Sequence, residues 1–247
     1  MNIDLNNINH LPEAEQHKLE SIRDLCHQEE YSQELVRHSR VQPLVRELND
    51  FCMSNRVIGI HYTRANKTSI VKYGLLCRSG DEIRETFLEE HGKLFTDEEI
   101  SKLKSTWDST YCKEEASNRD FMIFFNFIIT ENPLHNAATE DLLNHYGGEQ
   151  IPICFCQPPL FIQGGTNKKC SICKKLNQIG EPLLVRCSLD PKTVNTFTEN
   201  PWGKILVSSF HVEVNPEACR IDQDGYIKKP VSPQNILEVK LLTDSFN

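Results

Sequence analysis

The stretch "DFMIFFNFIIT", residues 120–130, limits what this chain can fold into more than any other part of it. It is apolar and aromatic, bounded by polar residues, and of strand length, so it fits a central strand buried on both faces. Further strands are expected at "VIGIHYT", "IPICFCQ", "PLLVRCSL", "KILVSSFHVEV" and "NILEVKLL", where β-branched residues concentrate. Helices punctuate this series. In "NKTSIVKY" a short helix is stopped by Gly74, at the position where a left-handed residue is wanted. Ile83, Phe87 and Leu88 mark a second helix, Thr96-Asp-Glu-Glu99 opens a third with a capping box, and "TEDLLNHY" gives a fourth.

The first fifty residues read differently. Leu19, Ile22, Leu25 and Cys26 recur at helical spacing, as do Leu44, Val45 and Leu48 after Pro43. Residues 1–55 are therefore expected to form a helical extension packed on a main domain of residues 56–247. A helical start followed by strands, short helices and irregular insertions indicates α+β rather than a doubly wound sheet. The chain has no GxGxxG and no Walker A sequence, so neither a Rossmann nor a P-loop nucleotide site is supported.

Composition narrows the setting. With 38% hydrophobic and 25% charged residues among 247, the chain is an ordinary soluble globular protein. It has no run of about twenty apolar residues, and its start lacks the regions of a signal peptide, so a cytoplasmic protein without membrane partners is expected. Ten cysteines scattered through a mid-sized chain then read as reduced thiols. A net charge of −8 disfavours broad, salt-driven adhesion to nucleic acid but leaves room for a local basic groove, for which Lys168, Lys169, Lys174 and Lys175 are one candidate.

In "RVIGIHYTRANKTSIVKYGLL" a buried strand runs into His61-Tyr62-Thr63, followed by Asn66, Ile70 and Gly74-Leu75. This run resembles the first motif of the ADP-ribosyltransferase superfamily, closest to the H-x-T…I…GL opening of bacterial toxin transferases of the DarT type. The later "YGGEQIP" resembles the second signature, a glutamate beside a strand, and "KKPVSPQNILEVKLL" resembles the proline-bearing turn into the last strand. The resemblance covers residues 57–242 and implies a split-sheet α+β fold that holds NAD in a cleft. It implies a mono-ADP-ribosyltransferase acting on a macromolecule, RNA or DNA favoured over protein, in a toxin or phage-defence role with a neutralising antitoxin as partner. An NAD glycohydrolase would use the same residues.

Cleaving the nicotinamide–ribose bond develops positive charge on the sugar, so a carboxylate near the ribose gains interaction energy in the transition state. Glu149 is the candidate, with Asp224 and Glu213 as rivals; Asp224 is set near the final proline turn, where the family's glutamate falls. His61 and Thr63 are expected to fix the ribose by hydrogen bonds, with Tyr62 and Asn66 beside them. The resemblance also implies a mid-chain arginine or tyrosine for the phosphates or the nicotinamide ring. Arg84 ranks first there, with Tyr111 and Arg119 after it.

A structural reading stands beside this one. Cys170-Ser-Ile-Cys173 has the spacing of a zinc knuckle, and Cys187 or His145 could complete the ligand set, which would make the protein a non-catalytic zinc- or partner-binding module. Cys154 and Cys156 alternate on an expected strand and suit packing better. Zinc is therefore the minor reading.

Overall fold

The computed structural model describes residues 1–109, 117–148, 150–151, 171–221 and 223–243. Its strands are β1 (Asn2–Ile3), β2 (Arg56–Ala65), β3 (Ile123–Asn126), β4 (Glu181–Leu189), β5 (Asn195–Thr196), β6 (Asp224–Ile227) and β7 (Ile236–Leu241). They follow the order β5-β6-β3-β2-β4-β7, with β1 added to β2. β2 runs antiparallel to β3 in the register Ile60↔Asn126, β5 antiparallel to β6, and β1 parallel to β2. The helices are α1 (Glu13–Glu20), α2 (Arg23–Cys26), α3 (Ser32–Leu35), α4 (Gln42–Met53), α5 (Lys67–Tyr73), α6 (Gly80–His91), α7 (Asp97–Trp107), α8 (Glu140–Asn144), α9 (Ser171–Gln178) and α10 (Pro201–Val214). Helix mixed with a largely antiparallel sheet is the α+β class the sequence indicates.

Two compact units make up the chain. The first comprises Met1–His61, Phe124–Ile129 and Arg186–Ile227, and the second Tyr62–Ile123, Thr130–Val185 and Lys228–Asn247. In the first unit the N-terminal residues are woven in rather than appended. β1 pairs with β2, Asp4 ion-pairs with Arg186, and α4 packs its buried Leu44, Val45, Leu48 and Cys52 against α10.

α10 overturns one expectation, since "KILVSSFHVEV" was expected to be a strand. Its isoleucine and valines favour strands, although Lys204, Ser208 and His211 stand at helical spacing. Pro201 at the first turn starts a helix, and Trp202 through His211 are buried apart from Lys204. Its polar groups find partners inside. Ser209 Oγ donates to the Leu5 carbonyl at 2.6 Å, and Ser208 Oγ accepts from the Ile221 N–H at 2.9 Å. With these polar groups bonded inside, α10 is a buried helix.

The central strand is shorter than 120–130. Phe121 takes a positive φ of 56° and is exposed, so the ladder begins only at Ile123. Past Asn126, the amide of Asn6 replaces a neighbouring strand: its Nδ2 donates to the Phe127 carbonyl (3.2 Å) and its Oδ1 accepts from the Ile129 N–H (2.7 Å). Phe127 and Ile128 stay buried without being part of β3.

In the second unit, the helices expected after Gly74 are present, each opened by a capping box, Ser79 with Glu82 on α6 and Thr96 with Glu99 on α7. Phe87, Phe95, Leu103, Trp107, Ile172 and Leu176 form the core beneath them. Gly74 does end α5, with φ +75° and ψ −160°, a conformation open mainly to glycine. A second constraint acts there: a Cβ would lie 1.9 Å from the Val231 carbonyl oxygen, which Leu75 N–H contacts at 2.9 Å. The expected strand "IPICFCQ" lies outside the described residues except for Ile151.

Candidate functional site at the end of strand β2

β2 ends in the residues singled out from the sequence. Its first half, Val57 to Ile60, is buried, and burial loosens at His61, Thr63 and Arg64. Alternation along the strand sets His61 and Thr63 on one face and Tyr62 and Arg64 on the other.

His61 is half-buried and held in one tautomer. Its Nδ1 lies 2.8 Å from the Phe124 carbonyl oxygen, an acceptor only, so Nδ1 carries the proton and donates. The other ring nitrogen, Nε2, is left with a lone pair. Burial pushes the imidazole pKa below its ordinary 6.5, and the Phe124 bond opposes this without reversing it. The ring also stands 5.8 Å from that of Phe125. The result at neutral pH is an uncharged imidazole, fixed in orientation, with Nε2 able to accept a proton from a hydroxyl.

The neighbours of His61 have structural work. Tyr62 is buried and its hydroxyl accepts from the Thr130 N–H at 3.0 Å. Asn66 caps α5, its Oδ1 accepting from the Ser69 N–H at 3.2 Å. Arg64 donates to the carbonyls of Ile179 (2.8 Å) and Leu143 (3.1 Å). Thr63 is half-buried beside these.

The acids separate. Glu149 lies outside the described residues, next to Gly147 and Gly148, both with positive φ. Glu213 is exposed in the last turn of α10, a helix where a strand was expected. Asp224 is exposed at the start of β6 and, by alternation, shares a face with Tyr226. The Tyr226 ring lies tilted against Phe124, 5.5 Å between centroids, so that face is the Phe124 face of β3. His61 belongs to the other, opposite Phe125, as the register Ile60↔Asn126 requires. The sheet thus turns Asp224 away from His61.

Arg84 is placed elsewhere, inside the second unit, on α6. It is 7% exposed, its Nε donates to the Gln150 carbonyl at 3.1 Å, its Nη1 lies 3.6 Å from Asp81, and Trp107 covers its guanidinium at 5.6 Å. Burial pulls its pKa below the ordinary arginine value. It lines a pocket of about 640 Å³ together with the carboxylates of Asp81, Glu85, Asp108 and Asp120. Among the described residues these carboxylates outnumber the cations Arg84 and Lys104 of the lining, and they would repel a diphosphate. Arg119 is half-buried in the turn before β3, and Tyr111 lies outside the described residues.

The cysteine reading changes. Cys173 is buried in α9 and disulfide-bonded, so the expectation of reduced thiols fails there and Cys173 is no thiolate for zinc. Cys170, Cys154 and Cys156 lie outside the described residues. Cys187 is a free, fully buried thiol whose pKa burial raises to about 12, which disfavours the thiolate a metal needs. Among the described residues, no group of three or more His, Cys, Asp or Glu side chains could hold a metal ion. Of the basic groove, Lys168 and Lys169 lie outside the described residues and Lys175 is bound to Glu99 at 2.6 Å. No helix among the described residues is long and apolar enough to cross a membrane.

Comparison with family models, curated proteins and solved structures finds no match to this chain.

Proposed function

We propose that the chain is an NAD-dependent mono-ADP-ribosyltransferase with a split-sheet fold, transferring ADP-ribose to a macromolecule, with RNA or DNA favoured over protein. The observation that carries this reading is the state of His61, an uncharged imidazole fixed through Nδ1 at the end of a buried strand, with Nε2 able to accept from a hydroxyl. A ribose hydroxyl is such a donor. Thr63, on the same face two residues on, adds a second hydrogen-bonding group for the sugar.

In the proposed reaction the bond from the ribose anomeric carbon to the nicotinamide nitrogen breaks, and its electron pair leaves with nicotinamide. The sugar becomes oxocarbenium-like, and a carboxylate stabilises the charge. Glu149 is the proposed carboxylate, since Asp224 faces away from His61 and Glu213 lies on a helix end. An acceptor nucleophile then bonds to the anomeric carbon and gives up its proton. A toxin or defence effector of this kind would act in the cytoplasm and be held by a neutralising protein partner.

The test is nicotinamide release from NAD by the purified protein and by His61→Ala and Glu149→Ala, with RNA, DNA or cell protein as acceptor and circular dichroism as the folding control. Release should rise with one acceptor and fall by about a hundredfold or more in either variant, the scale of losing one transition-state contact. Release without any acceptor effect would make water the acceptor and the protein a glycohydrolase. No release from folded protein under any of these conditions would overturn the reading.

A further inference from the structure

We infer that the free edge of β7, in the second unit, docks on β7 of a second copy of this chain, the two strands running antiparallel about a two-fold axis at Val239. Among the described residues β7 ends the strand order, with β4 on its other side. An open edge presents a row of N–H and C=O groups with which another strand can pair. One bond fixes which of them point outward: the Leu242 N–H donates to the Pro182 carbonyl at 2.9 Å, toward β4. By alternation, the backbone groups of Ile236, Glu238 and Lys240 turn to β4, and those of Leu237, Val239 and Leu241 turn to the free edge.

The side chains fit a second copy of the same strand. Pairing about Val239 sets Leu237 opposite Leu241 of the second copy, and Glu238 opposite its Lys240. Both leucines are exposed, Leu237 by 44% and Leu241 by 41%, and each would cover the other. Glu238 and Lys240 are exposed too, and neither has an ion-pair partner among the described residues. They fall at the positions without hydrogen bonds to the second copy, where facing side chains approach most closely. Charges on an edge strand commonly block pairing, but here their opposite signs flank Val239 and become complementary under the two-fold. Centring the axis on Glu238 or Lys240 instead would set like charges face to face, so charge selects the register. α5 packs beside β7 and leaves Val71 and Tyr73 exposed, which extends the apolar surface beyond the strand.

Sedimentation of the full chain at low salt should show a dimer at about 100 μM that dissociates on dilution. Lys240→Glu or Glu238→Lys alone sets like charges opposite each other in both symmetry-related pairs and should weaken association by about tenfold or more. The double exchange, Glu238→Lys with Lys240→Glu, brings opposite charges together again and should restore the dimer. These side chains are exposed, and circular dichroism checks that each variant keeps its fold. In amide exchange, protection at Leu237, Val239 and Leu241 should rise with protein concentration, while that at Glu238 and Lys240 stays constant. A chain that remains monomeric at that concentration overturns the inference and leaves the edge to a different protein or to water. A dimer that neither single exchange weakens, or that the double exchange does not restore, overturns it as well, because the copies would then meet elsewhere or in another register.

Discussion

Substituting Gly203 by alanine tests the helix that the sequence pattern conceals. Gly203 sits in the first turn of α10 against α4, and an added Cβ would lie 1.9 Å from the Val45 carbonyl oxygen, 2.8 Å from its carbon and 3.0 Å from the Asn49 nitrogen. All three are backbone atoms, so no rotamer change relieves the clash. Ordinary contact begins at about 3.4 Å, and the two helices would have to part by roughly 1.5 Å. On an exposed helix, Gly→Ala stabilises by up to about 1 kcal/mol. Here, overpacking of about 1–3 kcal/mol is joined by dispersion lost along the whole α4–α10 seam, which includes Leu44, Val45 and Leu48. The net expectation is a loss of about 2 kcal/mol or more, read as a lower midpoint in urea by far-ultraviolet circular dichroism. A neutral or stabilising Gly203→Ala would refute the close approach and with it the placement of α10.

Three further outcomes follow from buried or coupled polar groups. His211 Nε2 lies 3.1 and 3.0 Å from the carbonyls of Cys26 and Glu29 and must donate, so its Nδ1 accepts from the Ser32 hydroxyl at 2.9 Å; Ser32→Ala strands that lone pair and should lower stability by about 1–3 kcal/mol in the same urea assay. The Glu99 carboxylate accepts from Lys175, Ser171 and the Thr96 N–H, which hold its pKa down to about 2. Its contribution is therefore complete above about pH 4.5 and lost as pH falls toward 2; with solvent screening it amounts to about 1 kcal/mol, and Glu99→Gln should flatten this part of an acid titration of the unfolding midpoint. Gly74→Ala meets both a positive φ and the Val231 oxygen, so it should destabilise by about 2 kcal/mol or more and speed amide exchange at Leu75 and Val231, whose N–H groups bond across that bridge; unchanged exchange would contradict this.

Some features needed only local chemistry to be read. Gly74 ends α5 because its backbone demands it, Thr96 and Glu99 open α7 by satisfying each other's N–H groups, and Pro43 lies in the first turn of α4. The α+β class followed from helices and strands whose period is set along the chain. His61 and Thr63 were legible in the same way, since a strand end with a two-residue repeat places both on one face. Tyr62 and Asn66 belong to the same motif, yet their hydroxyl and amide are taken up by the Thr130 and Ser69 N–H groups.

Tertiary contacts decided the rest. In "KILVSSFHVEV" the isoleucine and valines favour a strand while Lys204, Ser208 and His211 stand at helical spacing, so the run alone does not decide; the close approach of Gly203 to α4 and the partners of Ser208, Ser209 and His211 settle it as a buried helix. The β2–β3 register and the contact of Tyr226 with Phe124 turn Asp224 away from His61, a fact that depends on which strands pair. The carboxylates around Arg84 come from α6, the cap that follows α7 and the turn before β3, so the sequence shows the arginine but not the acidic pocket it lines. Sequence alone fixes what lies within a turn or a strand's repeat; which distant groups share a face, a pocket or a hydrogen bond is set by packing.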